Sequence, residues 1–228
     1  MSASRSKSRA SADATAEGNG YHHGALRASL LAVAAAMLEA GGIPALTLRG
    51  VSRAAGVSHA APAHHFGDLT GLLSELAGSG FVQLRDKFDA AMAAAGADGA
   101  ARLTAMGKAY VGFARAHPGL FALMFRSESL DMCRPVLRDA VAEVREALRR
   151  AAGEGAPGEG APGKSAPSGE ALARSVALWS LVHGFAVLLI DDRLRGALAT
   201  LPQGADADTL LDAVLDITSV AGPHRAAK

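Results

Sequence analysis

The stretch TLRGVSRAAGVSHAAPAHHF, residues 47–66, decides the fold. Thr47 can cap a short helix, because its hydroxyl can accept a hydrogen bond from a free backbone N–H in the first turn. The inward face of that helix is predicted at Leu48, Val51 and Ala55. Gly56 supplies the left-handed residue that ends it, and a second short helix follows from Ser58 to Phe66. Two short helices joined by a glycine turn are typical of a helix-turn-helix unit.

Pro62 determines where the second short helix can begin. If Ser58 is the N-cap, Pro62 is the fourth helical residue, and its missing N–H removes the first intrahelical hydrogen bond. A helix that starts with Pro62 as its first residue avoids this conflict. The sequence leaves both starts open.

Composition and periodicity predict an all-α fold. Half of the 228 residues are apolar, which is enough for a sizeable core, and the most abundant residues favour helix. A first helix is expected to end at Gly41-Gly42. Beyond the stretch quoted above, helices are predicted over 69–95, 99–116, 118–126, 135–151, 171–190 and 206–220.

Low-complexity segments divide the chain into domains. Residues 1–20 are rich in Ser, Ala, Arg and Gly and predict a disordered tail without a secretory signal. Residues 152–169 contain one pentapeptide written three times, GEGAP, GEGAP and GKSAP, and predict a flexible loop. We therefore expect a three-helix domain over 21–67, a second helical domain over 68–221, and a short tail over 222–228.

Several classes of site are disfavoured by the residues present. Cys133 is the only cysteine, so a disulfide within the chain and a cysteine-based zinc site are excluded, which fits a cytoplasmic protein. The most apolar run, residues 176–190, is too short to cross a bilayer, and we expect no membrane segment. No nucleophile with a base and no paired carboxylates stand out, so an enzyme is not expected.

The N-terminal third is basic and rich in histidine. Residues 1–66 contain six Lys and Arg against three Asp and Glu. His64 and His65 point about 100 degrees apart on a helix, and His59 lies off the four-residue spacing that aligns two imidazoles. We therefore expect no metal site and no cofactor.

Three motifs resemble the DNA-binding region of the TetR family of bacterial transcriptional regulators. They are YHHGALR (21–27), TLRGVSRAAGVS (47–58) and HHF (64–66), the last followed by Leu72-Leu73. The second domain resembles a branch of that family whose regulatory domain carries a Trp and, four residues later, His-Gly. Trp179, His183-Gly184 and HPGLFALMF (117–125) match this pattern.

The resemblance implies a homodimer with two kinds of site. The N-terminal domains would grip successive major grooves of a double-stranded DNA operator, and the C-terminal domains would bind a small-molecule effector. The apolar character of the last two helices predicts that they form the subunit interface.

The candidate DNA contacts are Thr47, Arg49, Ser58, His59, Ala60 and His64. An alanine methyl can meet a thymine methyl in the major groove, and His59 is the main polar candidate for contacting DNA. The chain departs from the family where Pro62-Ala63 replaces Leu-Tyr and Leu69 replaces a lysine. Because phosphate contacts supply much of the affinity, these changes predict weaker anchoring to the DNA backbone.

The candidate effector contacts are the aromatic and sulfur-containing side chains of the second domain together with one histidine. They are Tyr110, Phe113, Phe121, Met124, Phe125, Trp179 and His183. His183 lies in a nearly all-apolar helix and needs a hydrogen-bond partner. A ligand, a backbone carbonyl or Tyr110 could provide it.

The function expected from the sequence is a ligand-responsive DNA-binding regulator, a repressor that its effector releases from DNA. The alternative is a helical module that binds a ligand or a partner and has weakened DNA binding. Pro62, Ala63 and Leu69 motivate the alternative.

Overall fold

The computed structural model describes residues 10–151 and 169–220, and this part of the chain is helical without any strand. The ten α-helices are α1 Ala10–Gly41, α2 Leu48–Ala54, α3 Ala60–Phe66, α4 Leu69–Ala94, α5 Gly99–Ala116, α6 Pro118–Met124, α7 Pro135–Ala151, α8 Gly169–Ile190, α9 Arg195–Leu198 and α10 Ala207–Val220. Two short 3₁₀ turns lie at Ile43–Ala45 and Ser127–Ser129. The all-α prediction is confirmed.

Helices α1, α2 and α3 pack together into a unit that we call the reading head. Leu30, Ala34 and Leu38 recur every four residues along α1, so they share one face, and all three are fully buried. Val51 of α2 and Phe66 of α3 belong to the same core. The head therefore forms around one apolar stripe of α1.

The turn between α2 and α3 follows the sequence prediction. The Thr47 hydroxyl accepts a hydrogen bond from the Gly50 N–H at 2.9 Å. Gly56 has a φ of +68°, and the Val57 N–H donates to the Ser52 carbonyl at 3.0 Å. This 6→1 hydrogen bond around a left-handed glycine satisfies one of the last carbonyls of α2.

Helix α3 begins at Ala60 with His59 as its N-cap, a start that differs from both sequence alternatives. Pro62 is therefore the third helical residue. The N–H groups of the first turn have no intrahelical acceptor, so a proline at this position removes no helical hydrogen bond. The proline is compatible with the helix for this reason.

Helix α4 forms the centre of the second helical unit and packs against α5, α6 and α7. Helix α8 packs on α5, and α10 packs on both. Glycine permits close approach at two of these contacts, because it has no β-carbon. Gly78 faces Val136 at the start of α7, and Gly107 faces Leu215 of α10.

Two features differ from the sequence predictions. Helix α1 starts at Ala10, inside the predicted tail, where alternating alanines over 10–16 favour helix. Helix α8 is apolar nearly all round, a pattern that predicts burial, but it is not buried in the single chain, because its Leu172, Val176 and Leu188 are 55%, 48% and 41% exposed. Residues 1–9, 152–168 and 221–228 lie outside the described residues. These ranges include nearly all of the predicted loop over 152–169 and the whole predicted tail over 222–228.

Two helical windows are long and apolar enough to cross a membrane by length and composition alone. They are Gly24–Gly41 in α1 and Leu172–Ile190 in α8, and each is 17% buried. Core helices of soluble proteins pass the same test, so these windows are weak evidence for a membrane segment.

Candidate functional site

The six predicted DNA contacts all lie at the surface of the reading head. They are exposed at the start of α2, in the turn, and on α3: Thr47, Arg49, Ser58, His59, Ala60 and His64. In helix-turn-helix proteins the N-terminal residues of the second helix contact base edges in the major groove. His59 and Ala60 occupy that position here.

Ser52 of α2 fixes the His59 ring, a contact that the sequence did not predict. Ser52 is fully buried, and its hydroxyl donates to the Arg49 carbonyl at 3.0 Å. The same oxygen lies 3.1 Å from His59 Nδ1. Because the single hydroxyl proton is already used, this hydrogen-bond network makes His59 Nδ1 the donor to Ser52. The sequence signal for this contact is the position of Ser52, which stands beside Val51 on the inward side of a short helix.

The departures from the family pattern fall in different environments. Pro62 is buried and therefore faces the core of the head, away from solvent. Ala63 is exposed, and Leu69 is partly buried against the core. The missing tyrosine is thus a change at the surface, whereas Leu69 also contributes to packing.

In the second helical unit, Tyr110 and His183 form a hydrogen bond, with Tyr110 Oη 2.8 Å from His183 Nδ1. Burial raises the pKa of Tyr110, and a hydrogen bond from the Trp179 indole N–H acts in the opposite direction. Burial lowers the pKa of His183. Both groups are therefore neutral near pH 7. Among the described residues Nδ1 is the one acceptor within hydrogen-bond distance of the phenol, so the phenol donates to Nδ1 and the imidazole proton lies on Nε2. Of the three hydrogen-bond partners considered for His183, the structure shows Tyr110.

Aromatic rings surround this hydrogen bond. The centroid of the His183 ring lies 4.6 Å from that of Phe125, 5.4 Å from Phe121 and 5.9 Å from Trp179. We call Tyr110, Phe121, Phe125, Trp179 and His183 the aromatic cluster. Five of the seven predicted effector contacts thus come together.

The other two predicted contacts lie outside the cluster. Phe113 is fully buried, with its ring 5.2 Å from that of His117, and Met124 lies against Gly80 of α4. Two α4 residues that are not among the predicted effector contacts extend the cluster. Phe88 stacks on Tyr110 at 6.3 Å, and Phe81 meets Phe125 edge to face at 5.8 Å. Their apolar spacing on α4 predicts burial but gives no sign of which rings they meet.

Glu39 joins the reading head to α6, the helix that carries Phe121. Its carboxylate accepts hydrogen bonds from the Gly119 N–H at 2.8 Å and the Leu120 N–H at 3.0 Å. Pro118 has no N–H, and the Phe121 N–H bonds to the His117 carbonyl. Glu39 therefore satisfies both free donors in the first turn of α6, and its negative charge suits that end of a helix.

Within residues 10–151 and 169–220, no three His, Cys, Asp or Glu side chains are grouped so that they could hold a metal ion.

A helix-turn-helix head followed by a helical domain that carries an aromatic cluster is the architecture of a DNA-binding transcriptional regulator. The model of bacterial regulatory proteins of the tetR family matches residues 30–76. The model of the tetracyclin repressor-like C-terminal domain matches residues 103–218. The chain belongs to the TetR family.

Solved structures show the same fold. A protein of unknown function from Rhodococcus sp. RHA1 is 35% identical, with a TM-score of 0.69, and the match covers 86% of this chain and 95% of that one. The TetR family transcriptional regulator PfmR from Thermus thermophilus is 20% identical, with a TM-score of 0.54 over 82% of this chain and 95% of its own. A tetR-family regulatory protein from Rhodococcus RHA1 is 18% identical, with a TM-score of 0.58 over 84% and 94%. Among curated proteins, no sequence matches significantly.

Proposed function

We propose that this protein is a homodimeric repressor that a small-molecule effector releases from its DNA operator. One observation carries the proposal. Helix α6 touches the aromatic cluster through Phe121 and touches the reading head through the bonds that its first turn makes to Glu39. A ligand that displaces α6 changes the position of the head.

The aromatic cluster suits an effector with a flat apolar body and one hydrogen-bond acceptor. Rings at 4.6–5.9 Å from His183 favour stacking or edge contacts with such a body. The Nε2–H of His183 is a neutral donor suited to a carbonyl oxygen. We propose that this class of ligand, rather than a charged one, acts on the protein, because an unpaired charge among these rings is strongly disfavoured.

The exposed faces of α8 and α10 are the proposed dimer interface. Their large apolar side chains at the surface of the single chain include Leu172, Val176, Trp179, Leu188 and Ile217, the last 70% exposed. A second copy that covers these faces buries apolar surface in both chains. We expect Val176→Glu together with Ile217→Glu to convert a dimer into a monomer in light scattering, whereas the exposed polar change Arg193→Ala leaves the dimer intact.

The proposal predicts how effector binding releases DNA. The two heads of a dimer must meet half-sites separated by about one helical turn, roughly 34–36 Å, or a multiple of it. A shift of α6 that moves Glu39 and α1 changes that separation. The ligand then favours the state that does not fit the operator.

Selection of DNA by the purified protein tests the reading function. The protein is incubated with a random-sequence duplex library, and bound duplexes are sequenced over several rounds. We expect a palindromic sequence to be enriched, and the double variant Arg49→Ala, His59→Ala to lose that enrichment. Arg193→Ala is the control, because it removes one positive charge outside the reading head.

The alternative function is a ligand-binding module with weakened DNA binding. It is favoured by the exposed Ala63 and the partly buried Leu69 at positions where the resemblance implies contacts to phosphates. Failure to enrich any duplex, together with ligand binding to the cluster, supports this alternative. Trp179 is the only tryptophan, so ligand binding near it can be followed by its fluorescence.

A further inference from the structure

Glu75 of α4 is a buried carboxylate, 8% exposed, that pairs with arginines from two different parts of the fold. Arg27 of α1 pairs with its Oε2, and the Nε of Arg134, just before α7, lies 3.3 Å from its Oε1. A buried charge is strongly disfavoured unless it is paired. The pairs therefore join α1, α4 and the start of α7 around one carboxylate.

Arg134 also reaches the end of the recognition helix α3. Its Nη2 donates to the carbonyl of Phe66, the last residue of α3, at 3.0 Å. The last carbonyls of a helix have no intrahelical partner, and a positive charge is favourable there. The second helical unit thus supplies the hydrogen bond that completes the C-terminal end of α3.

Gly71 leaves room for this contact. A β-carbon at position 71 would collide with the Phe66 carbonyl oxygen and with the Arg134 guanidinium. The Gly71 N–H meanwhile donates to Asp68 at 2.7 Å, which caps α4. Because residue 71 has no side chain, the Arg134 guanidinium can contact the end of α3 beside the start of α4.

The segment that carries Arg134 is itself fixed to α4. The Asp131 N–H donates to the hydroxyl of Ser74 at 2.9 Å, and Ser74 is fully buried. The Arg134 N–H in turn donates to the Asp131 carbonyl at 3.1 Å. A displacement of α7 or of this segment is thereby transmitted to the guanidinium.

We propose that Arg134 is a positioning residue for DNA reading. Through Phe66 it fixes the C-terminal end of α3, so the second helical unit sets the angle at which His59 and Ala60 meet base edges. This inference rests on the proposed reading role of α3. The guanidinium acts by geometry, because its Nε and Nη2 already contact Glu75 and the Phe66 carbonyl.

The test compares Arg134→Ala and Arg134→Lys with the wild type. The control is Arg138→Ala, one helical turn further along α7, where the arginine is exposed and pairs with Asp139. Two probes are used: a duplex that the wild type has enriched from a random library, and a scrambled duplex of the same composition. Dissociation constants are measured for both over a range of salt concentrations.

Both Arg134 variants are expected to bind the enriched duplex about tenfold more weakly, the effect of losing one charge-assisted hydrogen bond. Binding to the scrambled duplex and the salt slope should not change, because nonspecific binding depends on phosphate contacts. Arg138→Ala should behave as the wild type. A salt slope that falls by about one in Arg134→Ala would identify a phosphate contact instead and overturn the proposal. Wild-type behaviour of Arg134→Lys would also overturn it, since lysine keeps the charge without the planar fork.

Hydrogen exchange separates this inference from the proposed function. If the wild type enriches no duplex, the reading function fails, but the contact between Arg134 and α3 can still be measured. The Gly67 N–H bonds to the Ala63 carbonyl at the end of α3. We expect this amide to exchange about tenfold faster in both Arg134 variants. Unchanged exchange at Gly67 would show that Arg134 does not position the helix.

Discussion

Replacing Glu39 by alanine removes the carboxylate that accepts hydrogen bonds from the two free N–H groups at the start of α6. The bonds measure 2.8 Å to Gly119 and 3.0 Å to Leu120. A hydrogen bond to a charged group contributes about 1.5–3 kcal/mol, but water can reach these N–H groups once the exposed carboxylate is gone. Loss of a helix N-cap, which is the nearer comparison, costs about 0.5–2 kcal/mol. We therefore expect Glu39→Ala to destabilise the protein by about 1–2 kcal/mol.

Thermal unfolding followed by circular dichroism measures this loss. For a chain of this size the expected decrease in Tm is about 2–8 °C, since each kcal/mol shifts Tm by about 2–4 °C. Glu146→Ala is the matched control, because it removes a carboxylate whose partner, Arg149, is a neighbour on the same helix. A surface pair of this kind contributes little to stability, because water and salt screen both charges.

The location of the effect is as important as its size. Hydrogen exchange at Gly119 and Leu120 should accelerate in Glu39→Ala, while amides in the middle of α4 should keep their protection apart from the global loss of stability. If Glu39→Ala is no less stable than Glu146→Ala and the two amides exchange at the wild-type rate, the link between the head and α6 does not exist in solution. The proposed route from ligand to DNA would then lose its support.

Three further predictions concern the two sites and the core. Burial lowers the pKa of His183, so below about pH 6.5 the unfolded chain binds more protons than the folded one. The stability of the protein should therefore decrease as pH falls through this range and level off below the lowered pKa of the folded state. Tm measured from about pH 8 to 5 should show this decrease, and His183→Gln should reduce it. Gly80→Ala places a β-carbon 2.6 Å from Met124 Sδ and should destabilise the protein by about 1–3 kcal/mol. Gly112 is also in a helix, but no described atom lies within 4 Å of the added carbon, so Gly112→Ala should stabilise the protein by up to about 1 kcal/mol. Equal Tm values for the two variants would contradict this account of the packing. Ser52→Ala frees the His59 ring and should broaden the base preference at one position of the enriched duplex, and an unchanged preference would show that Ser52 does not orient His59.

Helix positions were predictable because they depend on local signals. Helices α5 and α7 lie where the sequence predicts them, since Asp98 caps the first and Pro118 and Pro135 fix the boundaries that follow. Thr47 and Gly56 likewise determine both ends of α2. These signals lie within a few residues of the structure that they produce.

Contacts between distant residues were not predictable in this way. Glu75 stands beside Leu72, Leu73 and Leu76 on α4, and its position in an apolar stripe indicates burial but not its partners. Arg134 is 59 residues further along the chain, and nothing in its neighbourhood points to Phe66. The start of α3 at Ala60 has no such local signal, because its N-cap residue, His59, makes no side-chain capping hydrogen bond.

Ser52 and Arg134 together bear on the weaker phosphate anchoring that the resemblance implies. A head that binds mainly through phosphates tolerates small errors in helix angle, because charge acts at a distance. A head that reads through the methyl of Ala60 and the ring of His59 depends on short contacts, which small displacements abolish. Such a head needs its recognition helix fixed before binding, and the structure fixes α3 at its start through Ser52 and at its end through Arg134. The position of α3 thereby depends on the second helical unit, as the proposed control of DNA binding by a ligand requires.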